Sequence, residues 1–401
     1  MSFVDTISRR ALGSQLERIE WGRVDIADNG SSQSFGNGSG PRATIQVKDP
    51  RFYRSTVMGG SVGAAEAYME GWWDTDNLTD LIRVLVRNRD VMEDMEKGAA
   101  RLAQPVRTLL HRLARNTREG SRRNISAHYD LGNDFFRLFL DETLTYSCGI
   151  FEDEGASLKE ASESKYDRIC RKLELGPDTH VVEVGCGWGG FALHAAGKYG
   201  ARVTSTTISQ EQHKLATERV REAGLEDRIT ILLSDYRDLE GTYDRLVSIE
   251  MIEAVGDAFY EDYFETCARL LKPDGIATIQ AITIRDNEYD RARKEVDFIK
   301  RYIFPGCNIP SVARLLQAAA TTDLTLFHLD DITPHYATTL RMWREAFFEH
   351  ADEIKAMGFD DAFLRMWEFY FCYCEGGFLE RVIGDVQITF TKPLSRREPI
   401  L

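Results

Sequence analysis

The sequence predicts an α/β protein: a largely parallel sheet flanked by helices, preceded by a smaller N-terminal α+β domain. Three observations predict it. Strand-like and helix-like segments alternate from Asp178 onward, the rhythm of βαβ units. The β-branched run Val181, Val182 and Val184 passes at once into Gly185, Gly187, Gly189 and Gly190 and then into an apolar helix. Glycine there permits positive φ and lets a ligand reach the backbone where strand becomes helix. Finally, 401 residues with 43% hydrophobic and 28% charged content suffice for one large core and a second, smaller one.

Residues 1–95 read as a separate unit of a kind that engages lipid or a second copy of the chain. Leu16 to Ala27 alternates in part and reads as a strand. The stretch 28–41 (DNGSSQSFGNGSGP) reads as a loop, and Ala43 to Val47 as the second strand of a hairpin. Helical periodicity follows from Gly59 to Arg87, and the Trp72–Trp73 pair within it suits a core anchor better than an interfacial one. Residues 96–123 form a basic linker. From Lys97 to Arg123 there are eight basic residues against one acid, Glu119, with Leu102, Val106, Leu109, Leu110 and Leu113 at helical spacing. Such a helix suits an anionic membrane surface or docking on its own core, and both readings stand.

Residues 124–401 carry the α/β region. Phe135, Phe136, Leu138, Phe139 and Leu140 predict a buried helix, with Tyr146-Ser147-Cys148 on the loop that follows. Strands are expected at 180–184, 201–208, 228–234, 243–250 and 275–282, with helices at 191–198, 211–223 and 258–271 between them. Residues 285–380 interrupt the sheet with a helical, lid-like insertion. Its segment 363–378 (FLRMWEFYFCYCEGGF) is almost continuously apolar, as a core helix or the wall of a hydrocarbon channel would be. Val382 to Lys392 alternates as a final strand.

Charge and cysteine content narrow the function. A net charge of −14 argues against nucleic acid. No apolar run reaches the roughly 18 residues that span a bilayer, and the N-terminus lacks a signal-type core, so a cytoplasmic address is expected. Seven cysteines without a C-x-x-C pair imply free thiols and no metal site.

Gly185, Gly187 and Gly190 satisfy G-x-G-x-x-G, which alone also fits a nicotinamide dinucleotide or a ligand-free turn. A dinucleotide site wants an acid about 20 residues on, yet the second strand ends Ser205, Thr206, Thr207, Ile208, Ser209. Glu183 instead precedes the glycines, and E-x-G-x-G-x-G resembles the first motif of the S-adenosylmethionine (SAM) methyltransferases. That resemblance implies a Rossmann-like class I sheet. Asp235, at the end of the third strand, is placed to accept from an adenine amine, with Tyr236 against the ring and Gln212 near the ribose. Glu250 and Glu253 lie at or beyond the fourth strand's end, where a partly buried carboxylate needs a partner.

Taken in order, HYDLGNDFF, YSCGIF, VEVGCGWGG, TTISQEQ, DYRDL, SIEMIEAVG, RYIFPGC, HYATTL and CEGGF resemble the cyclopropane fatty acid synthase family over residues 60 to 392. GWWDTDNL resembles the N-terminal domain of its longer bacterial members. The resemblance implies methylene addition from SAM across the cis double bond of a phospholipid acyl chain, by a protein peripherally bound to the inner membrane face. A homodimer is a candidate assembly. It also implies a bound bicarbonate base, held by groups that match Cys148, Glu253, Gln280, Tyr336 and the backbone of Ile282. Gln280 departs from the family, whose better-known members have His there, and Gln cannot titrate. Cys374 matches a cysteine sometimes given an active-site role, although the chemistry needs no thiolate. On the SAM side the resemblance carries Tyr146, Ser147, Gly185, Gly187, Thr207, Gln212 and Asp235. The alternatives are a methyl- or methylene-branched product, a small-molecule N-methyltransferase, and a lipid-binding module without activity.

Overall fold

The structure is a computed structural model that describes residues 2–88, 91 and 131–398. The basic segment 97–123 lies outside the described residues. The chain divides into two compact units whose pieces are not consecutive: 1–113, 294–305 and 340–382 in the first, and 114–293, 306–339 and 383–401 in the second. Residues 294–305 and 340–382, part of the expected insertion, group with the N-terminal part in this division.

The first unit opens with the helix Phe3–Leu16, started by a capping box in which Ser2 Oγ accepts from the Asp5 N–H and Asp5 accepts from the Ser2 N–H. Strand β1 (Arg23–Asp28) alternates between buried and half-buried positions. It pairs antiparallel with β2 (Ser31–Phe35) across Asn29 (φ 47°) and Gly30 (φ 80°), a two-residue turn of the Asn-Gly kind. Strand β3 (Arg42–Val47) pairs with β1 in parallel, and β4 (Trp73–Thr75) closes the order β2-β1-β3-β4. The expected hairpin between β1 and β3 is therefore corrected: the Gly/Ser/Asn-rich stretch itself supplies the hairpin partner. The expected helix at 59–87 is likewise two helices, Arg51–Met69 and Leu78–Arg87, separated by β4.

The helix Asp361–Leu379 packs against both of them. A Cβ on Gly376 would lie 2.7 Å from Ile82 Cγ2, so glycine allows this close approach. Thr79 and Arg344 both donate to the buried Glu375, at 2.8 and 2.6 Å. The apolar segment 363–378 is thus a core helix of this unit. Trp73 is buried against Phe52 and Tyr68, whereas Trp72 faces the Arg51 guanidinium.

The second unit is built on seven strands: β5 (His180–Val184), β6 (Arg202–Thr207), β7 (Ile229–Leu233), β8 (Tyr243–Ile249), β9 (Leu271–Ile284), β10 (Thr325–Asp331) and β11 (Ile383–Thr391). Their order is β10-β11-β9-β8-β5-β6-β7, with β11 antiparallel to both neighbours and β5 to β9 parallel. Strand β10 falls where only helix was expected. Strand order reverses between β5 and β8, and ligands of such sheets sit beyond the carboxyl ends at that point. Among the described residues no helix is long and apolar enough to cross a membrane.

Candidate active site

The turn after β5 is held open by its own backbone. The N–H groups of Gly185 and Cys186 both donate to the Thr206 carbonyl of β6, and Gly185, Gly187 and Gly189 all have positive φ. A Cβ on Gly187 would meet nothing within 4 Å, so this glycine is not there to avoid its own protein and leaves a bare backbone surface. The helix Gly190–Tyr199 starts directly after it, offering free N–H groups to a negative ligand group. Arg219, from the helix Gln210–Glu222, pins this turn to the preceding loop by donating to the carbonyls of Trp188, Thr143 and Glu142. Tyr146 leans on Phe136, whose ring lies 5.0 Å from that of Trp188. An aromatic group therefore stands beside the glycines.

The other cofactor candidates split. Thr207 Oγ donates to Gln212 Oε1 at 2.9 Å, and both are buried. Glu183 is buried on β5 and accepts from Ser205 on β6, and burial pushes its carboxyl up to about 7. Asp235 is gripped by the Arg237 guanidinium through both oxygens, at 2.8 and 2.6 Å. Tyr236 packs edge-on against Tyr263 in the core. Ser147 Oγ accepts from the buried Lys165 Nζ at 2.6 Å.

Beyond β8 lies a cluster that converges on one carboxylate. Glu250, directly after the strand, has φ 48°, a left-handed conformation that costs a residue with a Cβ about 1–2 kcal/mol. Its Oε1 accepts from the Cys148 N–H at 2.8 Å and from Gln280 Nε2 at 2.7 Å, and its Oε2 from the Tyr336 hydroxyl at 2.5 Å. Glu253, three residues on, accepts from the Ile282 N–H at 2.6 Å, while its Oε2 is buried without a partner. The five expected anion-holding residues thus meet as a group, organised by a sixth, Glu250. Cys374 lies on the helix Asp361–Leu379 of the first unit and is not part of this group.

The orientation of Gln280 follows from its neighbours. Lys172 Nζ can only donate, so the Gln387 amide must turn its oxygen toward it, at 2.8 Å. Gln387 Nε2 then donates to Gln280 Oε1 at 3.0 Å, which leaves Gln280 Nε2 to face Glu250 and, at 3.0 Å, Asp385. Gln280 is thus a fixed donor that cannot titrate. Burial raises the Glu250 carboxyl against the pull of Tyr336, the Cys148 N–H and Lys165. Burial, and then the charge of Glu250, pushes Glu253 up to about 8. Asp385 rises well above the carboxylate range from burial and the nearby Glu250 and Glu253, and burial lifts the Cys148 thiol too, so it stays protonated. Burial lowers Lys165, which Glu250 and its neighbours oppose. Lys165, Lys172, Asp385 and Arg219 carried no sequence signal, being polar residues on ordinary helical or strand patterns.

The profile of the mycolic acid cyclopropane synthetase family matches residues 116–388. This chain belongs to that family. It is 40% identical over 341 residues to the tuberculostearic acid methyltransferase UfaA1 of Mycobacterium tuberculosis, covering 83% of this chain and 79% of the relative. To the cyclopropane-fatty-acyl-phospholipid synthase of Escherichia coli it is 37% identical over 361 residues, 89% of each. Among solved structures, the mycolic acid cyclopropane synthase CmaA1 complexed with SAH and CTAB superposes with a TM-score of 0.62 at 32% identity, over 68% of this chain and 98% of that one. The family member described here is a SAM-dependent methyltransferase with a class I fold. The open glycine turn, a cradle that a Cβ at Gly187 would fill, fits the cofactor.

Proposed function

We propose that this chain transfers the methyl group of SAM to the cis double bond of an unsaturated phospholipid acyl chain and closes a cyclopropane ring. The observation that carries the reading is the carboxylate cluster beyond β8, at the switch point next to the glycine turn. An amine acceptor brings its own acidic proton after methylation. An alkene does not, and the carbocation it becomes must lose a C–H proton to a positioned base. SAM supplies an electrophilic methyl on a positive sulfur. The chain holds the glycine turn open, stands Tyr146, Phe136 and Trp188 beside it to exclude water, and presents aromatic faces that stabilise positive charge.

Bicarbonate, which the family resemblance implies, does not fit the residues present. The donors that would hold it, Cys148 N–H, Gln280 and Tyr336, are spent on Glu250, and Ile282 N–H on Glu253. A further anion would stand beside the Glu250 carboxylate, and two like charges side by side cost heavily in a buried site. The proposed reaction therefore uses no external anion.

The reading sets the chain against a membrane surface. Phe3, Val4 and Ile7 on the first helix are exposed beside Arg9 and Arg10, a pattern that favours an anionic lipid face. A methyl-branched product is the second reading, favoured by the 40% identity to a relative named for tuberculostearic acid. Purified protein, SAM and vesicles of an oleoyl phospholipid separate the two by mass spectrometry. A gain of one CH2 with loss of the alkene supports the ring, and a gain with the alkene kept supports branching before any reduction. No lipid change beside active turnover of a small amine sinks both.

A further inference from the structure

The donors gathered around Glu250 point to more than structural repair. Three groups from separate parts of the chain, the Cys148 N–H, Gln280 and Tyr336, end on this one side chain. Each of the three residues is buried, whereas Glu250 itself keeps part of its surface accessible despite being densely surrounded. It is therefore not sealed into the core. Its neighbour Met251 abuts the cofactor turn, since a Cβ on Gly185 would come within 2.8 Å of Met251 Cγ. The backbone at Glu250 is strained, and strain kept at a ligand-facing position marks a place where the side chain matters more than the fold.

We infer that the Glu250 carboxylate is the base of the reaction, a built-in anion standing where an external one would otherwise bind. The inference rests on the proposed methyl transfer to an alkene. In that step the alkene π pair forms a C–C bond to the methyl as the methyl–sulfur bond breaks, leaving S-adenosylhomocysteine and a carbocation on the acyl chain. A C–H bond of the new methyl then breaks. Its proton goes to a Glu250 oxygen, and its electron pair closes the ring. Glu250 returns the proton to water when product leaves.

Among the described residues, the charged and titratable groups packed on Glu250 suit this role. Tyr336, the Cys148 N–H and Gln280 hold the carboxylate oriented, and Lys165 supplies a nearby positive charge. Asp385 and Glu253 are both raised, and Glu250 is the carboxylate on which three donors end. Burial lifts Glu250 as well, toward the range in which a general base works well near neutral pH.

The test uses purified full-length protein with SAM and oleoyl phospholipid vesicles, in buffer stripped of carbon dioxide and in buffer with added bicarbonate. The wild type should keep its full rate in stripped buffer. Glu250→Gln, which preserves shape, should lose at least about 100-fold in rate while binding SAM within a few-fold of wild type by calorimetry. Glu250→Gly relieves the positive φ but opens three buried donors, so its fold is checked by circular dichroism before assay. Added formate or bicarbonate should restore part of its rate, which a purely structural role for Glu250 does not predict. A wild type that needs bicarbonate, or a Glu250→Gln protein at wild-type rate, overturns the inference while leaving the methyl transfer standing. A wild type that methylates no lipid overturns both.

Discussion

Replacing Tyr336 by Phe removes one hydroxyl and nothing else from the cluster beyond β8. In the structure that hydroxyl donates to Glu250 Oε2 at 2.5 Å, and it leads the groups that hold the Glu250 carboxyl down against burial. A hydrogen bond to a charged group is worth about 1.5–3 kcal/mol, roughly ten- to a hundredfold in an equilibrium, so losing it should raise the Glu250 carboxyl further. The sign follows directly. The donor stabilises the charged form, so without it Glu250 holds its proton to higher pH and the active, deprotonated fraction falls at any given acidic pH. The acid limb of kcat/KM should move up by about 1–2 pH units, with much of the rate recovered on the alkaline side. The assay is methylated lipid formed by Tyr336→Phe across a pH series, with SAM affinity measured in parallel. An acid limb left where the wild type has it, with the rate lowered equally at every pH, would refute a role through Glu250.

Other expectations concern the cradle, the supporting chain and the fold. Gly187→Ala forces a Cβ into the left-handed region at about 1–2 kcal/mol and onto the open backbone surface. SAM affinity should drop roughly tenfold or more by calorimetry, with only a small change in melting temperature. Glu253 holds a proton in the folded chain between about pH 4.5, its ordinary value, and about 8. The unfolded chain has released that proton, so folded stability should fall as pH rises through this window. Denaturant unfolding at the two ends should show a shallower fall in Glu253→Gln, and an unchanged slope would contradict the raised carboxyl. Lys172→Met frees the Gln387 oxygen and with it the orientation of Gln280. It should cost about 1–3 kcal/mol in stability for the unsatisfied buried acceptor and lower the lipid methylation rate more than SAM affinity. Equal loss of both would argue that Gln280 is not oriented through this chain.

The parallel sheet was legible because its signals are local. β5, β6, β7 and β8 each carry a short β-branched or apolar run that a helix interrupts on schedule. Strand β10 was not, since Leu326 and Leu329 are exposed on a sheet edge and the run ends in Asp330-Asp331, with no buried face to impose alternation. Strand β2 hid in a stretch read as loop by composition, although Asn29-Gly30 is itself a strong hairpin signal. An apolar segment such as 363–378 announces burial but not against what, because its place with the N-terminal helices is set by tertiary packing. The site divides the same way. Cys148, Glu253, Gln280, Ile282 and Tyr336 were reachable by family resemblance. The convergence of their donors on Glu250 depends on distant pieces of chain, as do the buried Lys165 and Lys172.

The central claim is that this chain methylates a carbon–carbon double bond in a lipid. The direct measurement is mass spectrometry of oleoyl phospholipid vesicles after incubation with the purified protein and methyl-deuterated SAM. Transfer with loss of one hydrogen from the methyl must leave two deuterium atoms in each modified chain if a cyclopropane forms. Three retained deuterium atoms would contradict ring closure, and an acyl chain free of deuterium while SAM is consumed would contradict the account as a whole.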